Sequence, residues 1–309
     1  MRGRTSAARR GRPAMAAPRT GAALRATAVL ATAGLLLTGC DDVADGSNRA
    51  DTPPTARPGP RWDTHPDSIA SVGDSITRGF DACSLLKDCP EVSWSTGTDM
   101  ESVAHRLLPA GSAKGRPHSW NFAKTGARIE DLPRQLTAAA KHRPELVTVM
   151  IGANDACRDS ASDMTPVKEF RTGFADSLAR LRRTLPKTQV YVASVPDLQR
   201  LWSEGRKNLL GRTVWRLGIC PSMLKDSGSM DPSVKERRRA VVARVDAYNT
   251  ALKEVCAKDR LCRFDPAVHN YRFNSGELSK WDWFHPSKRG QQVLADIAYR
   301  EITRKDPTH

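Results

Sequence analysis

Ser75 is the residue whose surroundings first suggest chemistry, because it lies in "GDSITRGF" directly after an apolar run. A serine hydroxyl is a weak nucleophile until an adjacent base takes its proton. His285, in "WDWFHPS", could be that base. Asp282 precedes it by three residues, close enough to hold one imidazole nitrogen while the other faces the serine. Taken alone, the stretch around Ser75 could equally be a helix N-cap, for which Asp and Ser are both favoured.

Gly126 and Asn154 could supply the hydrogen-bond donors that such a nucleophile needs. Gly126 lies in "KTGAR" and Asn154 lies in "GANDA". Negative charge that develops on a carbonyl oxygen is stabilised by preorganised donors. The backbone N–H groups of Ser75 and Gly126 and the side-chain amide of Asn154 would provide three. Alternatively, Gly126 could only form a turn, and Asn154 or Asp155 could only cap a helix.

Apolar runs and helical patterns alternate along the chain from residue 68. The runs predict strands, and the patterns predict helices. The strands are expected at residues 68–72, 119–123, 146–151, 189–195 and 261–265, and the helices at 130–142, 167–185, 234–259 and 287–304. Continuous apolar runs are typical of parallel strands covered on both faces. The sequence therefore predicts an α/β fold, a three-layer α/β/α sandwich. Active residues of such folds gather at the carboxyl ends of the strands, which is where the candidate residues would lie.

Four blocks of the sequence resemble those that define the SGNH, or GDSL, hydrolase family. They are "GDSITRGF", "NFAKTGARIEDL", "IGANDAC" and "DWFHPSKRG", and the resemblance extends over residues 68–304. It implies a flavodoxin-like sandwich with five parallel strands. It also implies an ester hydrolase that needs no metal and no cofactor, in which Ser75 attacks, His285 is the base and Asp282 orients the histidine. Gly126 and Asn154 would complete the oxyanion hole with the Ser75 backbone.

The resemblance leaves the substrate open. The stretches "VSWSTGTD" (92–99) and "NLLGRTVWRLGICPSML" (208–224) are similar to the phospholipase B-like branch, which favours lipid acyl esters. A carbohydrate O-acetylesterase would use the same catalytic residues with a smaller acyl pocket. A non-catalytic binding lipoprotein would be expected to have lost a catalytic residue, and the chain retains the full set. The α/β-hydrolase pattern fits poorly, because Thr77 stands where the second glycine of the nucleophile elbow is expected.

Residues 1–39 have the pattern of an export signal. Seven arginines and no acidic residue precede a short apolar stretch at residues 26–37, which is too short to span a bilayer. The following "LTGC" resembles a lipobox, which implies cleavage before Cys40 and acylation of its sulfur; an ordinary signal peptide is the alternative. Residues 40–66 are polar and rich in proline, so they predict a disordered tether to a domain at 67–309. We therefore expect an exported monomer that is lipid-anchored at the membrane or secreted.

Six cysteines remain after Cys40, and an even number in an exported chain suggests up to three disulfides. They are Cys83, Cys89, Cys157, Cys220, Cys256 and Cys262. Fifteen pairings are possible. The close spacing of Cys83 with Cys89 and of Cys256 with Cys262 favours sequential pairing, which would leave Cys157 to pair with Cys220. A metal site is less favoured because no CxxC pair occurs.

The basic charge of the chain suits an anionic surface rather than nucleic acid. The formal net charge is +15, and removing the seven arginines of residues 1–25 lowers it to +8. The basic residues are scattered and no nucleic-acid-binding motif accompanies them. The one run, "KERRRA" (235–240), is typical of a solvated helix face.

Overall fold

Five parallel strands form the centre of the molecule. The computed structural model describes residues 61–108 and 118–305. The strands are β1 (Ile69–Gly73), β2 (Ser119–Asn121), β3 (Leu146–Met150), β4 (Gln189–Ala193) and β5 (Cys262–Asp265). Their order in the sheet is β2-β1-β3-β4-β5, and every neighbouring pair is parallel. The carboxyl ends of all five strands therefore meet at one edge.

Helices cover both faces of this sheet. They are α1 (Val103–Leu107), α2 (Leu132–Ala140), α3 (Ala153–Ala156), α4 (Val167–Thr184), α5 (Leu198–Gly205), α6 (Leu209–Trp215), α7 (Pro221–Leu224), α8 (Pro232–Cys256), α9 (Ala267–Asn270) and α10 (Lys288–Thr303). Helices α2, α4 and α8 pack side by side in one layer, and α1 packs on α10 in the other. Short 3-10 helices lie at Pro90–Val92, Ile129–Asp131 and Ser275–Glu277. The result is the expected three-layer α/β/α sandwich.

The burial of the strands explains why their sequences are continuously apolar. Every residue of β1, β3 and β4 is buried, as expected for strands covered on both faces. β2 lies at an edge of the sheet and is only half-buried, and it ends two residues before the predicted limit at residue 123. The five predicted strands and four predicted helices are otherwise confirmed to within a few residues.

The folded domain begins before the predicted boundary at residue 67. Trp62 is buried, and its indole N–H donates to the Ile302 carbonyl at 2.8 Å. The Arg263 guanidinium stacks over the same ring, 4.3 Å from its centroid. A tryptophan attracts little attention in a proline-rich stretch, yet its packing ties the segment to α10. The predicted signal at 1–39 and the tether up to residue 60, with Cys40, lie outside the described residues.

Three disulfides join the six cysteines in sequential order. Cys83 pairs with Cys89, Cys157 with Cys220, and Cys256 with Cys262. The second bridge joins the end of α3 to the residue that precedes α7, and the third joins the end of α8 to β5. In the described part of the chain, no helix has both the length and the apolar character required to cross a bilayer.

Candidate active site

Ser75, His285 and Asp282 form a continuous hydrogen-bonded chain. The Ser75 hydroxyl lies 2.9 Å from His285 Nε2, and His285 Nδ1 lies 2.5 Å from Asp282 Oδ2. These atoms come from opposite ends of the sequence, since Ser75 follows β1 and His285 precedes α10. The histidine can therefore accept the serine proton at one nitrogen while the carboxylate holds the other.

The turn after β1 is fixed by its backbone. Gly73 has a φ of +145°, and a Cβ at this position would lie 2.2 Å from the Met150 carbonyl oxygen of the adjacent strand. The Gln135 side chain binds both backbone groups of Gly73, accepting from its N–H at 2.7 Å and donating to its carbonyl at 2.9 Å. The close approach and the amide clamp hold the end of β1, and so they set the position of Ser75 two residues later.

The loop before α10 is fixed around Asp282. The second carboxylate oxygen of Asp282 accepts from the backbone N–H groups of Phe284 at 2.9 Å and His285 at 3.0 Å. The indole N–H of Trp215 donates to the Asp282 carbonyl at 2.7 Å. Since the three-residue spacing lets one carboxylate bind the backbone and the imidazole together, the ring has little freedom to turn away from Ser75.

Gly126 and Asn154 lie beside this chain, in the cavity that Ser75 and His285 also line. Gly126 has a φ of +81°, and nothing lies within 4 Å of a Cβ built on it, so its backbone faces open space. The Asn154 amide donates one hydrogen to the Ala127 carbonyl at 3.0 Å. That bond orients the amide and leaves its second hydrogen for another acceptor. All five predicted site residues are thus brought together.

Residues 71–293 match the GDSL-like lipase/acylhydrolase family. The chain belongs to this family. It is an ester-bond hydrolase on a three-layer α/β/α fold, and the blocks that carry the resemblance are those that bring the site together. No protein of curated function is significantly similar to the chain.

Several solved structures are similar to this GDSL-like hydrolase. A lipase/acylhydrolase from Enterococcus faecalis is 19% identical with a TM-score of 0.48, covering 78% of this chain and 100% of its own. A phospholipase A1 from Streptomyces albidoflavus NA297 is 18% identical with a TM-score of 0.45, covering 77% and 98%. A family two carbohydrate esterase from Clostridium thermocellum is 14% identical with a TM-score of 0.45, covering 76% and 62%.

The electrostatics of the hydrolase site favour a proton on His285. Burial alone would lower the pKa of His285, but the adjacent Asp282 carboxylate and the more distant Asp81 and Asp74 raise it above its usual value. Burial alone would raise the pKa of Asp282, but His285 and the two backbone N–H groups lower it below its usual range. Asp282 is therefore held as the anion that stabilises an imidazolium.

Two buried acids near the histidine were not among the predicted site residues. Burial raises the pKa of Asp74 to about 7, although the Ile76 N–H donates to one of its oxygens. Burial and the neighbouring Asp282 raise the pKa of Asp81 to about 6. Asp74 lies inside the "GDS" block and could have been noticed there. Asp81 carries no sequence signal, because its proximity to Asp282 arises only from the folded chain.

Metal-ligating groups are grouped in two places among the described residues. The carboxyls of Asp81 and Asp282 lie within 4.8 Å of an imidazole nitrogen of His285, and Cys83 and Cys89 lie as close to Glu91. The two cysteines form a disulfide, so their sulfurs are already bonded. The first group is already connected by the hydrogen bond from His285 to Asp282, which fits an acid–base pair better than a metal cage.

The cavity beside Ser75 has a volume of about 220 Å³. Its apolar wall is made by Leu198, Leu201, Ile219 and Phe284, and by the disulfide of Cys157 and Cys220. The wall therefore includes residues of the stretch 208–224, which could from sequence have been either core or groove. It is both, since Trp215, Met223 and Leu224 are buried whereas Leu209, Leu210 and Leu217 are exposed.

Proposed function

We propose that the hydrolase cleaves carboxylic esters through Ser75, His285 and Asp282. The observation that carries the proposal is the unbroken chain from the Ser75 hydroxyl through both nitrogens of His285 to Asp282. A hydroxyl at 2.9 Å from a held imidazole is within reach for proton transfer. The raised pKa of His285 suits a base that must carry the proton through the transition state.

The reaction proceeds in two halves. Ser75 Oγ attacks the ester carbonyl carbon while His285 Nε2 takes its proton, and the resulting oxyanion is held by the N–H groups of Ser75 and Gly126 and by the Asn154 amide. His285 then returns the proton to the alcohol as the C–O bond breaks, which leaves an acyl-serine. Water attacks this ester with His285 again as base, and the acid product leaves with Ser75 restored.

The proposed substrate is a lipid acyl ester. The cavity beside Ser75 is walled by leucine, isoleucine and phenylalanine side chains, which suit an acyl chain. The family to which the chain belongs is one of lipases and acylhydrolases. Acylated small molecules remain compatible with the same catalytic residues.

A carbohydrate O-acetylesterase is the second candidate. Its supporting observation is the size of the cavity, because a volume of about 220 Å³ suits a short acyl group better than a complete fatty acid. Both candidates use the same triad and differ only in the acyl group they accept.

The proposed location is the outer face of the cell membrane. Its support is the sequence pattern of residues 1–40, in which a basic segment, a short apolar segment and Cys40 follow one another. We expect the Cys40→Ser chain to leave the membrane fraction and appear in the medium. If that variant stayed in a carbonate-resistant membrane fraction, the lipid anchor would be ruled out.

Hydrolysis of 4-nitrophenyl esters from acetyl to palmitoyl tests the activity. The chain from residue 40 onward, with Cys40→Ser to prevent acylation, is compared with the same chain carrying Ser75→Ala. We expect hydrolysis that Ser75→Ala abolishes without lowering the melting temperature. A rate that peaks at medium or long chains supports a lipid substrate, and a rate confined to acetyl supports the carbohydrate esterase. Full activity in Ser75→Ala would disprove the mechanism.

A further inference from the structure

A second cavity, larger than the catalytic one, lies beside it. It has a volume of about 820 Å³ and runs between α6 and residues 221–229. Both cavities are lined by Gly218, which has a φ of +99° and nothing within 4 Å of a Cβ built on it. The absence of a side chain at this position keeps the boundary between the two cavities open. We call the larger cavity the α6 groove.

Basic side chains line the α6 groove. Arg212, Arg216 and Lys225 contribute to its wall, and in the described chain none of the three forms an ion pair. Asp226 is the acidic residue of the wall, and its carboxylate is paired with Arg237 at 3.2 Å. Residues 206–225 contain five basic residues and no acidic one. The groove therefore presents unneutralised positive charge.

A buried arginine shapes one wall of the groove. Arg238 is 3% exposed and donates to the carbonyls of Met223, Ser229 and Asp226 at 3.3, 3.0 and 2.7 Å. Its guanidinium also stacks on Trp202, 4.2 Å from the ring centroid. Three hydrogen bonds from one planar group hold the loop 223–229 in place, so the groove is preformed. The buried charge adds to the positive potential.

Exposed leucines lie along the rim of the groove. Leu209, Leu210 and Leu217 are 70%, 66% and 84% exposed, and they account for half of the large exposed hydrophobic residues of the described chain. Their neighbours Gly211 and Trp215 point into the protein and are buried. A helix that buries one face and exposes leucines beside arginines has the character of an interfacial helix.

Resting on the proposed esterase function, we propose that the α6 groove binds the anionic phosphate of a phospholipid while the rim leucines enter the lipid surface. Arginine guanidinium groups match phosphate oxygens in geometry and charge. The opening at Gly218 lets the acyl ester of the same molecule reach Ser75. The occupant is a lipid because phosphate chemistry and exposed apolar side chains occur at one place, next to an apolar acyl cavity.

Vesicle binding in a catalytically inactive background tests this inference separately from the esterase activity. The chain from residue 40 with Cys40→Ser and Ser75→Ala is mixed with vesicles of phosphatidylglycerol or of phosphatidylcholine that have the same acyl chains. We expect binding to phosphatidylglycerol that weakens with salt and exceeds binding to phosphatidylcholine. Arg212→Gln with Arg216→Gln should weaken phosphatidylglycerol binding roughly 30-fold, about five-fold for each charge.

Matched variants give the test its specificity. Arg180→Gln with Arg183→Gln removes the same charge from exposed positions on α4, and it should weaken binding far less. Leu209→Gln with Leu217→Gln should weaken binding to both lipids, whereas Leu86→Gln, at another exposed leucine, should not. Melting temperatures of all variants confirm that they are folded. Equal loss of binding in the groove variants and their controls would overturn the proposal.

Two further outcomes would assign the groove to another ligand. A rise in melting temperature with inorganic phosphate alone, lost in the double arginine variant and without vesicle binding, would make it a site for free phosphate. A concentration-dependent dimer that Leu209→Gln with Leu217→Gln abolishes would make the leucine rim a contact with a second copy. Either result overturns the lipid assignment while leaving the esterase mechanism to its own test.

Discussion

At the scale of single residues, the site depends on what holds His285 rather than on the histidine alone. Asp282 contacts it twice, through the imidazole Nδ1 and through the backbone N–H, and both contacts favour the anionic carboxylate. The opposing effects on His285 are burial, which disfavours its charge, and Asp282, which favours it. The carboxylate and its neighbours prevail, so the pKa of His285 lies above its usual value.

The pH dependence of the rate follows from this direction. Only neutral His285 can accept the Ser75 proton, so kcat/KM should rise with pH through a pKa above the usual value of about 6.5. Asp282→Asn should move that rise to lower pH and reduce kcat by up to about 10⁴-fold, because the tautomer is no longer fixed. A pH–rate profile of 4-nitrophenyl butyrate hydrolysis measures both. A profile unchanged in Asp282→Asn would contradict the assigned role.

Asn154 offers a separate test of the oxyanion hole. Asn154→Ala removes an amide that is already oriented by the Ala127 carbonyl. If it acts on transition-state charge, kcat should fall by about 10²–10³-fold with little change in KM. Steady-state kinetics distinguish the two parameters, with Asn208→Ala, the N-cap of α6, as a control for loss of an asparagine near the cavity. A change confined to KM would assign Asn154 to substrate binding instead.

The sequence predicts the site residues well because their order along the chain is tied to strand ends. Ser75, Gly126 and Asn154 each follow an apolar strand, and in a parallel sheet the carboxyl ends converge. Asp81 could not be predicted, since its carboxyl reaches Asp282 across two hundred residues of sequence through a turn with a φ of +57°. Contacts between loops have no periodic pattern from which they can be read.

At the scale of elements, the Cys157–Cys220 disulfide connects the catalytic cavity to the stretch that forms its outer wall. It closes a loop of 63 residues, whereas each of the other two bridges closes 6. Constraint of the unfolded chain grows with loop length, so this bridge should contribute about 4 kcal/mol and each short one about 2 kcal/mol. The bridge also holds α7 against α3, next to Asn154.

Removing that bridge should therefore affect both stability and activity. Cys157→Ala with Cys220→Ala is expected to lower the free energy of unfolding about twice as much as Cys256→Ala with Cys262→Ala. It should also raise KM, because Ile219 and both sulfurs line the cavity. Urea unfolding and ester kinetics measure the two effects. Equal destabilisation by the two double variants would show that loop length does not govern their contribution.

The elements themselves differ in how far the sequence reveals them. β1, β3 and β4 are predicted closely, since complete burial leaves an uninterrupted apolar run. The helices α5 to α7 are not predicted as helices, because they are short and pack into the site as separate pieces. Their apolar residues serve three different surroundings, namely the core, the catalytic cavity and solvent, so no single helical period appears in residues 198–224.

At the scale of the whole molecule, buried acids couple stability to pH. Asp74 and Asp81 are each 1% exposed, and burial raises their pKa values to about 7 and about 6. The folded state therefore binds protons that the unfolded chain, with ordinary aspartate pKa values near 3.9, has already released. Stability from these groups is complete below that value and is lost as pH rises toward 7. His285 acts in the same direction at slightly higher pH.

The melting temperature should consequently be higher at pH 5 than at pH 8, by several degrees. Asp282, whose pKa is lowered, contributes stability that is lost only in stronger acid, so it does not reverse the trend across this window. Asp74→Asn keeps the shape of the side chain and removes its titration, and should flatten the profile. Calorimetry of the Ser75→Ala chain with and without Asp74→Asn measures the difference. A melting temperature that rises from pH 5 to pH 8 would mean that these carboxyls are ionised in the folded protein, and the charge assigned around His285 would have to be redrawn.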